Sequence, residues 1–202
     1  MFAKDYRNLA WSKLGGKWTN PVLAALIYFV ISASCAAIQN VGFLAALIVS
    51  GPLMIGMCII SLKVINDELP EVNNLFHGFK NFKNSFILYA TNYLLILAWS
   101  LLFIIPGIVK QYSYSMSYYI MVENPDITAN EARKQSMIMM QGNRWRLFCL
   151  DFSFIGWVLL SCLTLGILFL WVVPYMEVAH ASFYKSICTG IYYPLDLEEN
   201  AE

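Results

Sequence analysis

Long apolar runs separated by short polar segments dominate the chain from residue 21 onward. A helix needs about 17 to 25 apolar residues to cross the hydrocarbon layer of a membrane. By that measure, transmembrane helices are predicted at 21–38, 41–62, 86–105, 147–163 and 167–187. Gln39-Asn40 and Thr164-Leu165-Gly166 form short turns that join two pairs of these helices.

One further segment, 108–122, is short and rich in tyrosine and serine, so its basic neighbours decide its placement. Lysine and arginine in short loops stay on the cytoplasmic side of a membrane. If the segment crosses, every lysine and arginine except Lys110 lies inside. If it does not, Arg133, Lys134, Arg144 and Arg146 are forced outside. We therefore expect six transmembrane helices, with the N- and C-termini in the cytoplasm.

Each predicted cytoplasmic segment before a hairpin has the pattern of an amphipathic interfacial helix. The apolar positions are Phe2, Tyr6, Leu9 and Leu14 in the first segment, and Val72, Leu75, Phe76, Phe79 and Phe82 in the second. In the third they are Ala129, Ala132, Ser136, Met139 and Met140, preceded by a capping-box pattern of Thr128 and Glu131. The predicted fold is an all-α polytopic membrane protein of three helical hairpins, each following one such helix.

These segments end on a related signature that suggests an internal repeat. The signature reads Gly15-Gly16-Lys17-Trp18, then Gly78-Phe79-Lys80-Asn81, then Gly142-Asn143-Arg144-Trp145, with the glycines about 63 or 64 residues apart. We expect one membrane domain over 1–190, with approximate repeats 1–65, 66–124 and 125–190, followed by an acidic cytoplasmic tail at 191–202. The alternative is that membrane proteins reuse glycine and interfacial basic and aromatic residues generally. The predicted interfacial anchors are Lys17, Trp18, Lys80, Arg144 and Trp145.

Composition agrees with a lipid environment and narrows the partners. Hydrophobic residues make up 59% of the chain and charged residues 13%, about half the charged fraction of soluble domains. Thirteen basic and thirteen acidic residues give no net charge, which argues against nucleic acid as a partner. The five cysteines lack the spacing of a metal site and read as small apolar residues, so no metal or cofactor is expected.

Ionisable side chains within a transmembrane helix are costly, which makes them candidates for function. Four qualify: Lys110, Asp151, Glu177 and His180. Lys110 follows Pro106 by four residues and Glu177 follows Pro174 by three, so the repeat predicts similar depths and a possible ion pair. For Asp151 an interfacial salt bridge with Arg144 or Arg146 is expected. Glu177 and His180 imitate a Glu-x-x-His metal motif, but the other carboxylates that such a site needs are absent.

Tyr114 belongs to a run of hydroxyl side chains at 112–119 that cannot face lipid unpaired without cost. Either these hydroxyls bond between helices, or they line a pocket for a solute. The chain has no catalytic motif such as G-x-S-x-G or H-E-x-x-H, and its two histidines are about a hundred residues apart.

Several longer motifs together resemble the bacterial membrane-protein family catalogued as domain of unknown function 975. They are GGKW, SGPLMIGM, LFHGFKNF, IIPGIVKQYSYSMSYYI, NEARKQSMIMMQGNRWRLF, SFIGW, LTLGI, LWVVPY and ASFY. Glu123 stands before Asn124-Pro125 where that family leads us to expect aspartate. The resemblance implies a multi-span protein of the bacterial cytoplasmic membrane and carries over no activity and no functional residues.

The leading functional hypothesis is a non-enzymatic membrane protein whose interior binds or passes a small or lipidic ligand. Its tentative ligand-binding residues are Lys110, Tyr114, Glu177 and His180. One alternative is an interaction or structural protein, such as a partner subunit of another membrane protein or a protective factor against membrane-active peptides. An intramembrane enzyme is a third. Membrane lipids are expected partners in every case.

Overall fold

The structure is a computed structural model, and it describes residues 2–37 and 42–188. Within those ranges the regular structure is helical, as the apolar pattern predicts. The predicted turn at Gln39-Asn40 and the predicted acidic tail at 191–202 lie outside the described residues.

The N-terminal pair of helices is sharply bent. α1 (Ala3–Leu14) ends at Gly15-Gly16, where Gly16 has a φ of +74°, and α2 (Thr19–Ala36) follows. The two axes differ in direction by 104°. Tyr6, Ala10 and Leu14 recur every four residues and are almost completely buried, whereas Phe2 is exposed. The predicted helix is confirmed, but the stripe differs because α1 packs against another helix of the bundle through these three residues.

α3 (Gly42–Ile65) is the most enclosed of the apolar helices, and a 3-10 helix (Val72–Phe79) packs against it. The predicted amphipathic α-helix at this place is therefore wrong in type, although Leu75 is fully buried as expected. The physical reason is close backbone contact. A methyl group on Gly56 would lie 2.0 Å from the Leu75 carbonyl oxygen, and one on Gly78 would lie 1.9 Å from the Pro52 carbonyl oxygen.

The middle of the chain reverses direction at a single extended residue. α4 (Phe82–Leu102) ends at Phe103, whose φ and ψ are −155° and 137°, and α5 (Ile104–Tyr114) begins at once. α6 (Ser117–Glu123) follows after a short break. The predicted fourth segment is thus two short helices. Gly107 makes the tight return possible, because a methyl group there would lie 2.9 Å from the Ser100 Cα.

The C-terminal part begins with α7 (Ala129–Met139), whose predicted capping box is confirmed. The Glu131 amide donates to the Thr128 hydroxyl at 3.3 Å, and the Thr128 amide donates to the Glu131 carboxylate at 3.2 Å. The hydroxyl of Thr128, as a donor to the same carboxylate, lowers the pKa of Glu131. α8 (Arg144–Phe152), α9 (Ile155–Leu163) and α10 (Phe169–Cys188) complete the bundle.

The membrane character is shown by helix length and by the apolar outer surface. In the described ranges, three helical stretches are long and apolar enough to cross a membrane: Leu44–Ile65, Phe82–Leu102 and Arg144–Leu163. A fourth is added if the bent pair of α1 and α2 counts as one span. Many large apolar side chains of α4, α5 and α9 face outward, which a protein in water could not sustain without a partner.

The repeat signature has unequal local geometry in its three copies. Gly16 and Gly142 both adopt a positive φ, +74° and +78°, at the end of a helix, and each is followed by a basic residue and a tryptophan. Gly78 is instead placed by its close contact with Pro52. The first and third copies therefore share a helix-ending turn, and the triplication stays a prediction.

Replacing Gly56 by alanine should destabilise the fold, because the added methyl group meets backbone atoms of the 3-10 helix that cannot rotate away. We expect a loss of about 1 to 3 kcal/mol or more in the free energy of unfolding, typical of overpacking. Gly156→Ala is the matched control, since Gly156 is also helical and has no atom within 4 Å of the added methyl group. Denaturant titration of both variants in mixed micelles measures the difference, and equal stability of the two would contradict the packing described here.

Candidate functional site

A cavity of about 490 Å³ lies in the bundle between α3, α4, α5, α6, α8 and α10. Most of its wall is apolar or aromatic, with a few polar side chains among them. The wall consists of Met54, Tyr89, Asn92, Tyr93, Ile96, Leu97, Ser100, Gln111, Tyr112, Tyr114, Ser115, Met116, Tyr118, Tyr119, Leu147, Asp151, Glu177 and His180. Three of the four predicted ligand-binding residues, Tyr114, Glu177 and His180, thus lie on one cavity.

Asp151 and His180 form a close contact across this cavity wall. The Asp151 carboxylate and His180 Nε2 are 2.5 Å apart, joining α8 to α10, and their side chains are 27% and 22% exposed. The predicted salt bridge of Asp151 with Arg144 or Arg146 is corrected here. Arg146 instead donates to Asn143 and to the Tyr6 hydroxyl, at 2.8 Å and 2.9 Å. The charge of Asp151 therefore lies at the cavity wall next to a histidine.

Glu177 lies one helical turn before His180 and is held by Tyr119. The Tyr119 hydroxyl is 3.2 Å from both the Glu177 carboxylate and the Glu177 carbonyl oxygen. Tyr119 is itself fixed, because it is buried and its ring stacks on that of Tyr184 at 5.3 Å. Among the residues that the structure describes, no group of three or more side chains is arranged to hold a metal ion.

Lys110 does not pair with Glu177, which corrects the predicted ion pair. Its ammonium group lies over the rings of Trp99 and Tyr114, at 5.3 Å and 5.9 Å from their centroids. Similar spacing from a proline misled the prediction, because Pro106 lies in the first turn of α5 whereas Pro174 lies further along α10. Lys110 is not part of the cavity wall. Its role in ligand binding stays a prediction.

The hydroxyl-rich stretch bonds within and between helices, and part of it also lines the cavity, where a solute stays a prediction. Ser113, Ser115 and Ser117 donate to carbonyl oxygens of their own chain three or four residues earlier, at 2.6 to 2.8 Å. Between helices, Ser136 donates to the Ser113 carbonyl at 2.8 Å. All four tyrosines of the stretch line the cavity. The polar residues of α5 and α6 thus belong to the interior of the bundle.

Asn92 is a wall residue that the search for ionisable groups missed. It is 1% exposed, and its amide nitrogen donates to the Ser117 hydroxyl at 3.0 Å. Ser117 gives its own proton to the Tyr114 carbonyl, so the Ser117 oxygen must accept, and this fixes the orientation of the amide. The Asn92 amide oxygen is left buried without a partner among the described residues. The sequence feature that could have revealed this residue is the presence of an asparagine within the apolar run of α4.

Comparison with protein-family models gives one match, to the family described as a protein of unknown function (DUF975), over residues 1–110 and 101–190. The chain belongs to this family. The resemblance drawn from its motifs is thereby confirmed. No curated protein and no solved structure matches the chain. Membership in DUF975 assigns no activity to the cavity, because the function of the family is unknown.

The predicted anchors of this DUF975 chain lie in different surroundings. Lys17 and Lys13 both pair with Asp67, and the hydrogen bond from Lys13 holds the pKa of that carboxyl below its usual range. Trp18 packs edge-to-face on Trp11, with ring centroids 5.2 Å apart. It borders a second, aromatic cavity of about 340 Å³ that also involves Trp11, Trp157, Trp171 and Tyr175.

The anchors of the other two copies are more open. Trp145 is 71% exposed and stacks on Phe148 at 5.1 Å, which suits a residue at the level of lipid headgroups. Lys80 is exposed, and Arg144 is half-buried with its Nε lacking a hydrogen-bond partner among the described residues. An interfacial role for the five anchors stays a prediction.

Replacing Asp151 by alanine should lower the free energy of unfolding by about 1 to 3 kcal/mol, because it leaves the enclosed His180 without its partner. The double variant Asp151→Ala/His180→Leu should recover part of this loss, since no unpaired polar group then remains. Asp126→Ala, at an exposed position, is the control and should change stability little. Unfolding titrations in mixed micelles give these values. If the free energy of unfolding of the double variant falls by the sum of the losses caused by Asp151→Ala and by His180→Leu alone, the pair does not contribute as described.

Proposed function

We propose that this DUF975 protein binds a small amphipathic or lipidic ligand in the bundle cavity and catalyses no reaction on it. The observation that carries the proposal is one cavity of about 490 Å³ with an apolar wall and a few convergent polar groups. This combination is typical of small-molecule sites. Ionisable groups within a membrane bundle are retained where they serve a ligand, an ion or a structural lock.

The proposal includes six spans as three hairpins in a bacterial cytoplasmic membrane, with both termini in the cytoplasm. The support is physical. α5, α6 and α10 provide much of the cavity wall, so they need not be apolar on every side. The mean hydropathy of such a helix is therefore lower than that of a helix surrounded by lipid, even if both cross the membrane. The distribution of lysine and arginine favours the same arrangement.

The arrangement of the polar groups favours binding over catalysis. The Asp151 carboxylate and His180 are already engaged with each other, and the Tyr119 hydroxyl already donates to Glu177. An activated nucleophile needs a base within hydrogen-bond reach and a third group that orients the base. Of the two serines of the cavity wall, Ser115 donates its hydroxyl proton to a backbone carbonyl and not to His180. These contacts support a site that holds its ligand.

A second candidate function, contact with a partner membrane protein, is favoured by one surface. Phe76, Phe79, Phe82 and Phe86 form a continuous row with neighbouring ring centroids 6.1 to 6.3 Å apart. Three of these rings are more than one-third exposed. Such a row suits either lipid or another helix, so the cavity remains the more specific feature.

Filling the cavity from its apolar side should abolish binding without removing any polar group. Leu97 and Leu94 both lie on α4 and are 43% and 59% exposed, but only Leu97 belongs to the cavity wall. We expect Leu97→Trp to lose binding and Leu94→Trp to keep it. The probes are tritiated decanol, decanoate and decylammonium, measured on full-length protein in zwitterionic-lipid nanodiscs with empty nanodiscs subtracted. The proposal fails if no probe shows binding that Leu97→Trp removes and Leu94→Trp retains.

A further inference from the structure

The cavity wall contains more acidic than basic side chains. Its ionisable acidic and histidine side chains are Asp151, Glu177 and His180, and none of the described wall residues is a lysine or arginine. Asp151 and His180 neutralise each other when His180 is protonated. Glu177 then has only the neutral Tyr119 hydroxyl as a hydrogen-bond donor. A carboxylate enclosed by an apolar bundle is costly unless a cation offsets its charge.

The nearby basic side chains do not supply that cation. Lys110 and Arg133 each lie 5.9 Å from the centroid of the Tyr114 ring, and neither belongs to the cavity wall. Lys110 also lies over Trp99. Both charges are therefore directed at aromatic rings, and no lysine or arginine of the described wall offsets the charge of Glu177.

Asn92 gives an independent sign of a missing donor. Its amide oxygen is buried and accepts no hydrogen bond from the described residues, although Asn92 is part of the wall. Leaving a buried acceptor unsatisfied costs about 1 to 3 kcal/mol. A ligand that carries an N–H group would remove this cost. The same ligand would neutralise Glu177 if the nitrogen were protonated.

The aromatic content of the wall suits an organic cation. Six tyrosines border the cavity: Tyr89, Tyr93, Tyr112, Tyr114, Tyr118 and Tyr119. Aromatic faces attract cations through their quadrupoles, more strongly where water is excluded. The large volume and the apolar remainder of the wall provide room for a hydrocarbon part that a bare metal ion does not have.

We propose that the ligand of this cavity is an amphipathic monocation with N–H donors, that is, a protonated alkyl or aryl amine. Its ammonium group pairs with Glu177 and donates to Asn92, and its apolar part lies against Ile96 and Leu97. This inference rests on the proposed function, because it names the chemical class of the ligand for the same cavity.

The experiment compares three probes of equal chain length on the unaltered protein in zwitterionic-lipid nanodiscs: decylammonium, decanol and decanoate. Decylammonium should bind at least about tenfold more tightly than the neutral and anionic probes, after subtraction of empty nanodiscs. Decyltrimethylammonium, which has the charge but no N–H group, should bind more weakly than decylammonium. Glu177→Gln should reduce the preference for decylammonium over decanol about tenfold. Glu71→Gln, at an exposed position, should leave it unchanged.

The outcomes separate this inference from the function on which it rests. If decanol or decanoate binds as tightly as decylammonium and Leu97→Trp removes that binding, the cavity binds ligands but the inference of a cation is overturned. If Leu97→Trp changes the binding of none of the probes, the proposed function and the inference both fail. Should Glu177→Gln not fold, the order of the probes on the unaltered protein still decides for or against the cation.

Discussion

The contact between Asp151 on α8 and His180 on α10 is the interaction on which the interior of this bundle depends. Polar groups enclosed by apolar helices have no water to bond, so each must find a partner within the protein or in a ligand. Tyr119 meets this requirement for one oxygen of Glu177, and Ser117 meets it for the nitrogen of Asn92. The oxygen of Asn92 has no partner among the described residues, and Asn92 is part of the cavity wall.

The same constraint explains which helices have a mostly apolar surface and which do not. α4 and the stretch Arg144–Leu163 have mostly exposed apolar surfaces, as expected for helices that face lipid. α5, α6 and α10 contribute glutamine, tyrosine, glutamate and histidine side chains to the wall of the cavity. Close backbone contact of α3 with the 3-10 helix at Gly56 and Gly78 forms a tightly packed part of the fold beside this polar interior.

Apolar length and capping chemistry predicted most of the helices within a few residues, because both are local properties of the sequence. The capping box at Thr128 and Glu131 is an example. The 3-10 helix was missed because it packs closely on Gly56 of another helix, and such a contact cannot be read from local spacing. For the site, the cost of burying charge drew attention to Glu177 and His180, which both line the cavity, but the partner of each side chain depends on helix rotation. Spacing from prolines therefore suggested Lys110 for Glu177, where the structure has Tyr119.

The central claim is that the bundle contains a cavity with a mostly apolar wall and a few polar groups that solutes can enter, and thiol labelling in nanodiscs tests it most directly. Ser115 lies on the cavity wall, whereas Leu94 faces outward from α4. Each is replaced by cysteine in a protein whose five native cysteines are removed. A water-soluble methanethiosulfonate reagent needs a thiolate, which forms where water reaches the thiol and not in hydrocarbon. The account predicts rapid labelling at position 115 and little at position 94; equal labelling at both positions would contradict it.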